Sequence, residues 1–215
     1  MKLYNFFRSS TSHRLRIALG LKGLTADYVA VDLRTEAHRG AAFKALNPQG
    51  MVPALEADGE MLTQSPAIID WLEERYPLPA LLPADPLARA RVRAVAAVIG
   101  CDIHPLHNRR VLQALRETFG ADEAAVNAWC ARWIEAGFDA AQALLTAPGH
   151  PAGDFCFGTA PGLADVYLVP QVESARRFKV DIGRWPRLQA IDAACSDLDA
   201  FRLAAPGVQP DAVAA

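Results

Sequence analysis

An α/β N-terminal domain followed by an all-α C-terminal helical bundle is the architecture this 215-residue sequence predicts. Three observations lead there. Over the first third of the chain, apolar runs of strand length alternate with helical periods. Residues 77–86 then place four prolines in ten positions, which neither a helix interior nor a central strand accepts. Beyond them nearly every window reads helical. With 52% hydrophobic residues, the chain can bury a full core.

The elements follow in order. Lys2–Phe6 is short and aromatic-rich, a buried strand. Ser12–Leu21 sets Leu15, Ala18, Leu19 and Lys22 at helical spacing, and Gly23 stops it. Asp27–Leu33 carries an alternating Tyr-Val-Ala-Val run, a second strand. Ala37–Leu46 is a weak helix that closes at Asn47-Pro48. Ala54–Glu56 and Met61–Thr63 form a hairpin across Asp58-Gly59. Pro66–Tyr76 is a helix with proline in its first turn and Ile68, Ile69 and Leu72 inward. The order β-α-β-α-β-β-α gives a mixed four-stranded sheet in a thioredoxin-like arrangement. Helical windows near 88–116, 122–145, 163–178 and 185–200 form the bundle. The expected division is a domain over 1–78, a Pro-rich linker over 79–87 and a helical domain over 88–215.

Charge and composition exclude several classes. Lys+Arg total 22 against 24 Asp+Glu, and a net charge of -2 argues against nucleic acid as the main partner. Only four of the 22 bases are Lys, and the arginine excess suits carboxylate or phosphate chemistry. No apolar run approaches the roughly 20 residues of a membrane span. Met1–Ser10 lacks the features of a signal peptide. The four cysteines show no CxxC spacing, so no metal site or disulfide framework is expected, and the cytoplasm is the expected compartment.

Three segments carry chemistry. Arg8-Ser9-Ser10-Thr11-Ser12-His13-Arg14 lies between the first strand and the first helix. Its hydroxyls are candidate N-caps. The same place offers unpaired backbone N–H groups and the positive end of a helix dipole, where a thiolate is stabilised. Plain capping would use these residues too. Without CxxC, any thiol must come from elsewhere. Val52-Pro53 precedes a strand, at a place where a thioredoxin-like domain can turn a backbone N–H and C=O outward through a cis proline for an extended peptide to pair with; an ordinary trans proline opening the strand would read the same. Gln64-Ser65 opens a helix whose N–H groups could receive a carboxylate.

Together these segments resemble the glutathione transferase superfamily and, within it, the zeta class of maleylacetoacetate and maleylpyruvate isomerases. The class string Ser-Ser-Cys-Ser-x-Arg-x-Arg-Ile-Ala-Leu stands here as Ser9 to Leu19, Asn-Pro-x-x-x-Val-Pro as Asn47 to Pro53, and Gln-Ser-x-Ala-Ile as Gln64 to Ile68. Asp102 to Pro105, Asn108 to Arg110, Leu163 to Asp165 and Val169 to Gln171 look like the same class. Thr11 replaces the usual Cys, keeping a hydroxyl donor but not a thiol. Gly162 stands where relatives carry Ser or Thr, so the helix after it loses a side-chain cap, at a cost of a few tenths of a kcal/mol.

The resemblance implies glutathione as cofactor. Its thiolate would meet Ser9, Thr11 and Ser12, its backbone Val52 and Pro53, its γ-glutamyl end Gln64 and Ser65, and its glycine end His38 and Gln49. The helical domain would contribute His104 and Asn108. The implied reaction is isomerisation of maleylpyruvate or maleylacetoacetate to the fumaryl form, with the thiolate acting as both nucleophile and leaving group. A small dicarboxylate needs guanidinium forks, and Arg8, Arg110 and Arg176 are the candidates. His13, His107 and His150 are expected to be structural. The alternative is a general transferase that conjugates or dehalogenates electrophiles. A homodimer is expected by resemblance.

Overall fold

A computed structural model describes residues 1–213. The chain forms two compact units: Met1–Leu81 with the segment from Ser196 onward, and Leu82–Cys195.

The first unit is built on four strands, β1 (Lys2–Asn5), β2 (Asp27–Ala30), β3 (Ala54–Ala57) and β4 (Glu60–Thr63), in the order β2-β1-β3-β4. β1 pairs parallel with β2 and antiparallel with β3, and Leu3 faces both Tyr28 and Leu55 in register. The hairpin β3–β4 sets Leu55 opposite Leu62. Helices α1 (Ser10–Leu21) and α3 (Ser65–Arg75) pack together, and Leu15, Ile17, Ile68, Ile69 and Leu72 are fully buried. Phe6, Phe7, Val31, Phe43, Val52 and Ala54 form a separate apolar cluster.

Several boundaries differ from expectation. α1 begins at Ser10 rather than Ser12, because the Ser9 side chain is the one that caps it. β2 ends at Ala30, since β1 offers only four residues to pair with and the chain turns at Asp32, whose carboxylate accepts from the Arg34 N–H. The helix expected over 37–46 divides into a 3-10 turn, Ala37–Arg39, and α2 (Ala41–Leu46), with Gly40 extended between them. Lys22 closes the unit's interior. Its ammonium group, fully buried, donates to Glu73 at 2.7 Å and to the carbonyls of Tyr76 and Pro79.

The second unit is helical: α4 (Pro86–Ala97), α5 (Arg109–Phe119), α6 (Glu123–Leu145), α7 (Leu163–Arg177) and α8 (Pro186–Ser196), the last running to the unit boundary. The window expected as one helix over 88–116 is broken. A π-helical turn at Val98–Ile103 and a 3-10 turn at His104–His107 stand between α4 and α5, where Pro105 can supply no N–H. Caps set the ends: Asp85, Asn108 and Asp122 accept from the N–H of Ala88, Arg110 and Ala125. At α7, Gly162 offers no side chain, and Asp165 takes over by accepting from the N–H groups of Gly162 and Cys156, both at 2.8 Å. Burial pushes the Asp165 pKa up, and these N–H groups oppose that rise.

The helical domain was expected to run to residue 215, yet the segment from Ser196 groups with the sheet unit. Within it, α9 (Asp199–Arg202) lies against α1, where Gly20 leaves room for Ala200, and Arg16 donates to Ala204 O at 2.9 Å. Nonlocal bonds to α1, invisible in helical periodicity, decide this boundary.

Candidate functional site

The run Arg8–Ser12 stands where β1 hands over to α1. Ser9 is the N-cap, with its Oγ accepting from Ser12 N–H at 3.2 Å. Thr11 Oγ1 donates to Val52 O at 3.0 Å and lies 2.9 Å from Ser9 Oγ. A hydroxyl has one proton. With the Thr11 proton on Val52 O, Ser9 is the donor to Thr11, and a directed chain runs Ser9 O–H to Thr11 O–H to Val52 C=O. Ser12 is fully buried, and its Oγ accepts from Phe6 N–H at the long distance of 3.5 Å. Of the three hydroxyls, Ser9 and Thr11 are part-exposed, so Ser12 is the worst placed to meet a ligand. Arg8 is exposed. His13 faces the interior of the unit. Burial, aided by the Arg16 charge, pushes its pKa down to about 3, and its Nε2 has no partner, so it is a neutral structural residue.

Val52 also marks the second segment. The Val52-Pro53 bond is cis, and both residues are buried. The loop before it is stapled by Asn47, whose Nδ2 donates to Met51 O at 2.7 Å and whose Oδ1 accepts from Gln49 N–H. Gly50, at φ 60°, lies against the His38 carbonyl, where a Cβ would come within 2.8 Å, so the backbone of the buried His38 runs directly beside this loop. The Gln49 and Gln64 side chains are bonded to each other. Gln64 adopts φ 67°, a left-handed backbone that costs about 1–3 kcal/mol and tends to be kept at ligand sites. Ser65 follows at the first position of α3. It is 3% exposed, and its Oγ has no partner. That leaves a hydroxyl proton beside the positive end of the α3 dipole.

The first unit thus brings Ser9, Thr11 and Val52 into one hydrogen-bonded chain, and joins Gln49 to Gln64 beside Ser65. The Thr11–Val52 bond spans 41 residues of sequence, a separation that no local pattern marks. In the second unit, Asn108 is the α5 cap, its Oδ1 accepting from Arg110 N–H at 3.2 Å. Arg110 is exposed, on the first turn of α5. Arg176 pairs with the buried Asp192, whose pKa burial raises and the guanidinium opposes. His104 stacks edge-on against His107 at 5.3 Å, and the His107 ring is bonded to Gln171 Oε1 at 3.1 Å. This bond holds the buried His107 ring between His104 and Phe178. His150 likewise bonds the Cys156 carbonyl. Among the described residues, no cluster that could hold a metal ion is present.

A thioredoxin-like sheet with a hydroxyl-lined helix start, a cis proline and a second helix start that holds a buried, unpartnered hydroxyl defines a domain of the glutathione transferase type. Residues 8–75 match the family model of the glutathione S-transferase N-terminal domain. The chain is 65% identical to a maleylpyruvate isomerase of Ralstonia sp., over 98% of this chain and 99% of that protein. It is similar to the holo structure of a maleyl pyruvate isomerase described as a bacterial glutathione S-transferase in the zeta class, at TM-score 0.97 and 64% identity, covering 99% of this chain and 100% of that one. A maleylacetoacetate isomerase of Anaeromyxobacter dehalogenans, solved with bound dicarboxyethyl glutathione and citrate in its active site, matches at TM-score 0.87 and 43% identity over 99% of this chain and 97% of that one. The chain belongs to the glutathione S-transferase superfamily, in its zeta class.

Proposed function

We propose that the protein is a glutathione-dependent cis–trans isomerase that converts maleylpyruvate, or its one-methylene-longer homologue maleylacetoacetate, to the fumaryl isomer. Zeta-class membership at 65% identity to a maleylpyruvate isomerase supports this reading over a general transferase. The observation that carries the cofactor is the pair of helix starts: the Ser9–Thr11–Val52 chain at α1 and the unpartnered, buried Ser65 hydroxyl at α3. They fit the thiol and the γ-glutamyl carboxylate of one tripeptide. Bound glutathione supplies a thiolate that adds to the conjugated double bond and leaves again, so the bond can turn and the cofactor is not consumed.

The residues have distinct tasks. Ser9 turns its proton from Thr11 to the sulfur, and the dipole of α1 favours the anion. Thr11 holds the Val52 carbonyl, while Val52 and Pro53 present backbone to the peptide. Ser65 and Gln64 receive the γ-glutamyl end, and His38 and Gln49 the glycine end. Ser12 supports the loop from beneath, through Phe6 N–H. In the helical unit, His104 and the Asn108 amide add donors for glutathione. Arg8 and Arg110 are assigned the substrate carboxylates. Arg176 is already paired with Asp192, so it contributes less charge. A cytoplasmic homodimer completes the proposal, to be checked by light scattering; no helix among the described residues is long and apolar enough to cross a membrane.

The test is an absorbance assay with maleylpyruvate, with and without glutathione, coupled to a fumarylpyruvate hydrolase, recovering the glutathione afterwards. Turnover that needs glutathione and returns it intact is expected. Consumption of glutathione with conjugate formation would favour the transferase. Absence of turnover with either maleyl substrate would sink the isomerase reading.

A further inference from the structure

The peptide that begins the Arg8–Ser9 segment is held by the far end of the chain. Phe7 is buried, 5% exposed, so its N–H and C=O must find protein partners. The Phe7 N–H donates to Asp211 Oδ2 at 3.1 Å, a bond spanning 204 positions. Its C=O accepts from Arg16 Nη2 at 2.9 Å. The two partners are themselves anchored. Asp211 Oδ1 accepts from the Tyr28 hydroxyl of β2, and Arg16 also donates to Asn5 Oδ1 and to Ala204 O. Ala212 packs against the Phe6–Phe7–Val52 cluster. Just beyond, Phe6 O accepts from Ser9 N–H at 3.0 Å. The turn that aims Arg8 and Ser9 is therefore fixed on one side by α1 and on the other by a carboxylate from the C-terminal segment.

We propose that Asp211 is a positioning residue for the reaction: by accepting the Phe7 N–H it fixes the backbone from which Arg8 and the Ser9 hydroxyl act. The proposal rests on the role given above to Arg8 and Ser9. Without that acceptor, a buried N–H is left unpaired, and the peptide at 7 turns toward water. Ser9 then moves off the line of the thiol, and displacements of about 1 Å cost up to about a hundredfold in rate.

The test compares D211A, D211N and Y28F with wild type, each assayed below its own melting midpoint. Three readings are taken: amide exchange of the segment containing Phe7, the ultraviolet titration of the thiol in the binary glutathione complex, and kcat and KM. In D211A, faster Phe7 exchange, a raised bound-thiol pKa and a fall in kcat/KM of about ten- to a hundredfold are expected. D211N keeps an oxygen for Phe7 N–H and offers its amide N–H to the Tyr28 oxygen, so it recovers most of the loss. Y28F leaves the Phe7–Asp211 bond in place and shifts the thiol titration little. If D211A does not yield folded protein, D211S, too short to reach the Phe7 N–H, replaces it with the same readings. A folded D211A or D211S with a lower melting temperature but wild-type thiol titration and kcat/KM overturns the proposal. A wild-type enzyme that forms no glutathione thiolate would instead overturn the functional reading.

Discussion

Ser9 and Thr11 sit 2.9 Å apart, yet the structure predicts a large loss on removing one hydroxyl and a small loss on removing the other. The proton count decides this. Thr11 gives its proton to Val52 O at 3.0 Å, so the proton available to a thiolate belongs to Ser9. Ser9→Ala removes a hydrogen bond to a charged sulfur, a contribution of about 1.5–3 kcal/mol. At about 1.4 kcal/mol per tenfold, kcat/KM falls about 10- to 150-fold. The same change deletes the α1 cap on Ser12 N–H, lowering folding stability by about 1 kcal/mol. Thr11→Val removes an acceptor that competes for the Ser9 proton, so the thiolate keeps its donor. Its cost is the neutral bond to Val52 O, about 1 kcal/mol, or about fivefold in kcat/KM. The assay pairs isomerase kinetics with ultraviolet titration of enzyme-bound glutathione. The expected pattern is a raised bound-thiol pKa in S9A and a nearly unchanged one in T11V. A T11V enzyme as damaged as S9A, with the same rise in thiol pKa, would show that Thr11 is the donor and the inferred direction of the chain is wrong.

Three further outcomes are expected. Lys22→Met removes the cation beside the buried Glu73 carboxylate, which keeps only hydrogen bonds such as that from Leu81 N–H, and takes a donor from two carbonyls; urea unfolding should show a loss of about 3–5 kcal/mol, and a loss below about 1 kcal/mol would mean the pair is solvated. His13 has a folded pKa of about 3 against an ordinary 6.5, so below pH 6.5 only the unfolded state gains a proton there. Its stabilising contribution is complete above that pH and falls by about 1.4 kcal/mol per unit as pH drops toward 3. The H13F variant should lack this slope, and parallel acid-denaturation curves for the two proteins would contradict it. Gly137→Ala would set a Cβ within 2.2 Å of Ile103 Cγ1, in the turn that leads to His104. A cost of about 1–3 kcal/mol is expected, with I103A on the same background costing less than it does alone; additive losses in thermal melts would show that the two side chains do not collide.

How much of this was legible beforehand varies with distance along the chain. The hydroxyl run at Ser9–Ser12, the Pro-rich stretch after Tyr76 and the β3–β4 hairpin were readable because caps, turns and proline limits are settled by near neighbours. The Gln64-Ser65 pair marks the start of α3 but not which residue caps it: Gln64 occupies the cap position, and the Ser65 hydroxyl stands inside the helix start, buried and unpartnered. The long window over 88–116 looked continuous because apolar spacing does not register a π-helical turn. α1 buries polar residues alongside apolar ones, among them His13, Arg14 and Arg16, so an amphipathic stripe could not locate its inner face.

The order of strands and helices, the mixed sheet, the zeta-class motifs and the residue types of the site all follow from the sequence. Each depends on local periodicity, on the order of the elements along the chain, or on motifs of fixed spacing. Folding alone shows that Thr11 spends its proton on Val52, that Lys22 and Glu73 are buried together, and that the segment carrying Asp211 returns to the first unit. These partners lie tens to hundreds of residues apart. Local periodicity carries no term for such pairs, because what selects them is the need of buried N–H, C=O and charged groups to find each other once water has been excluded.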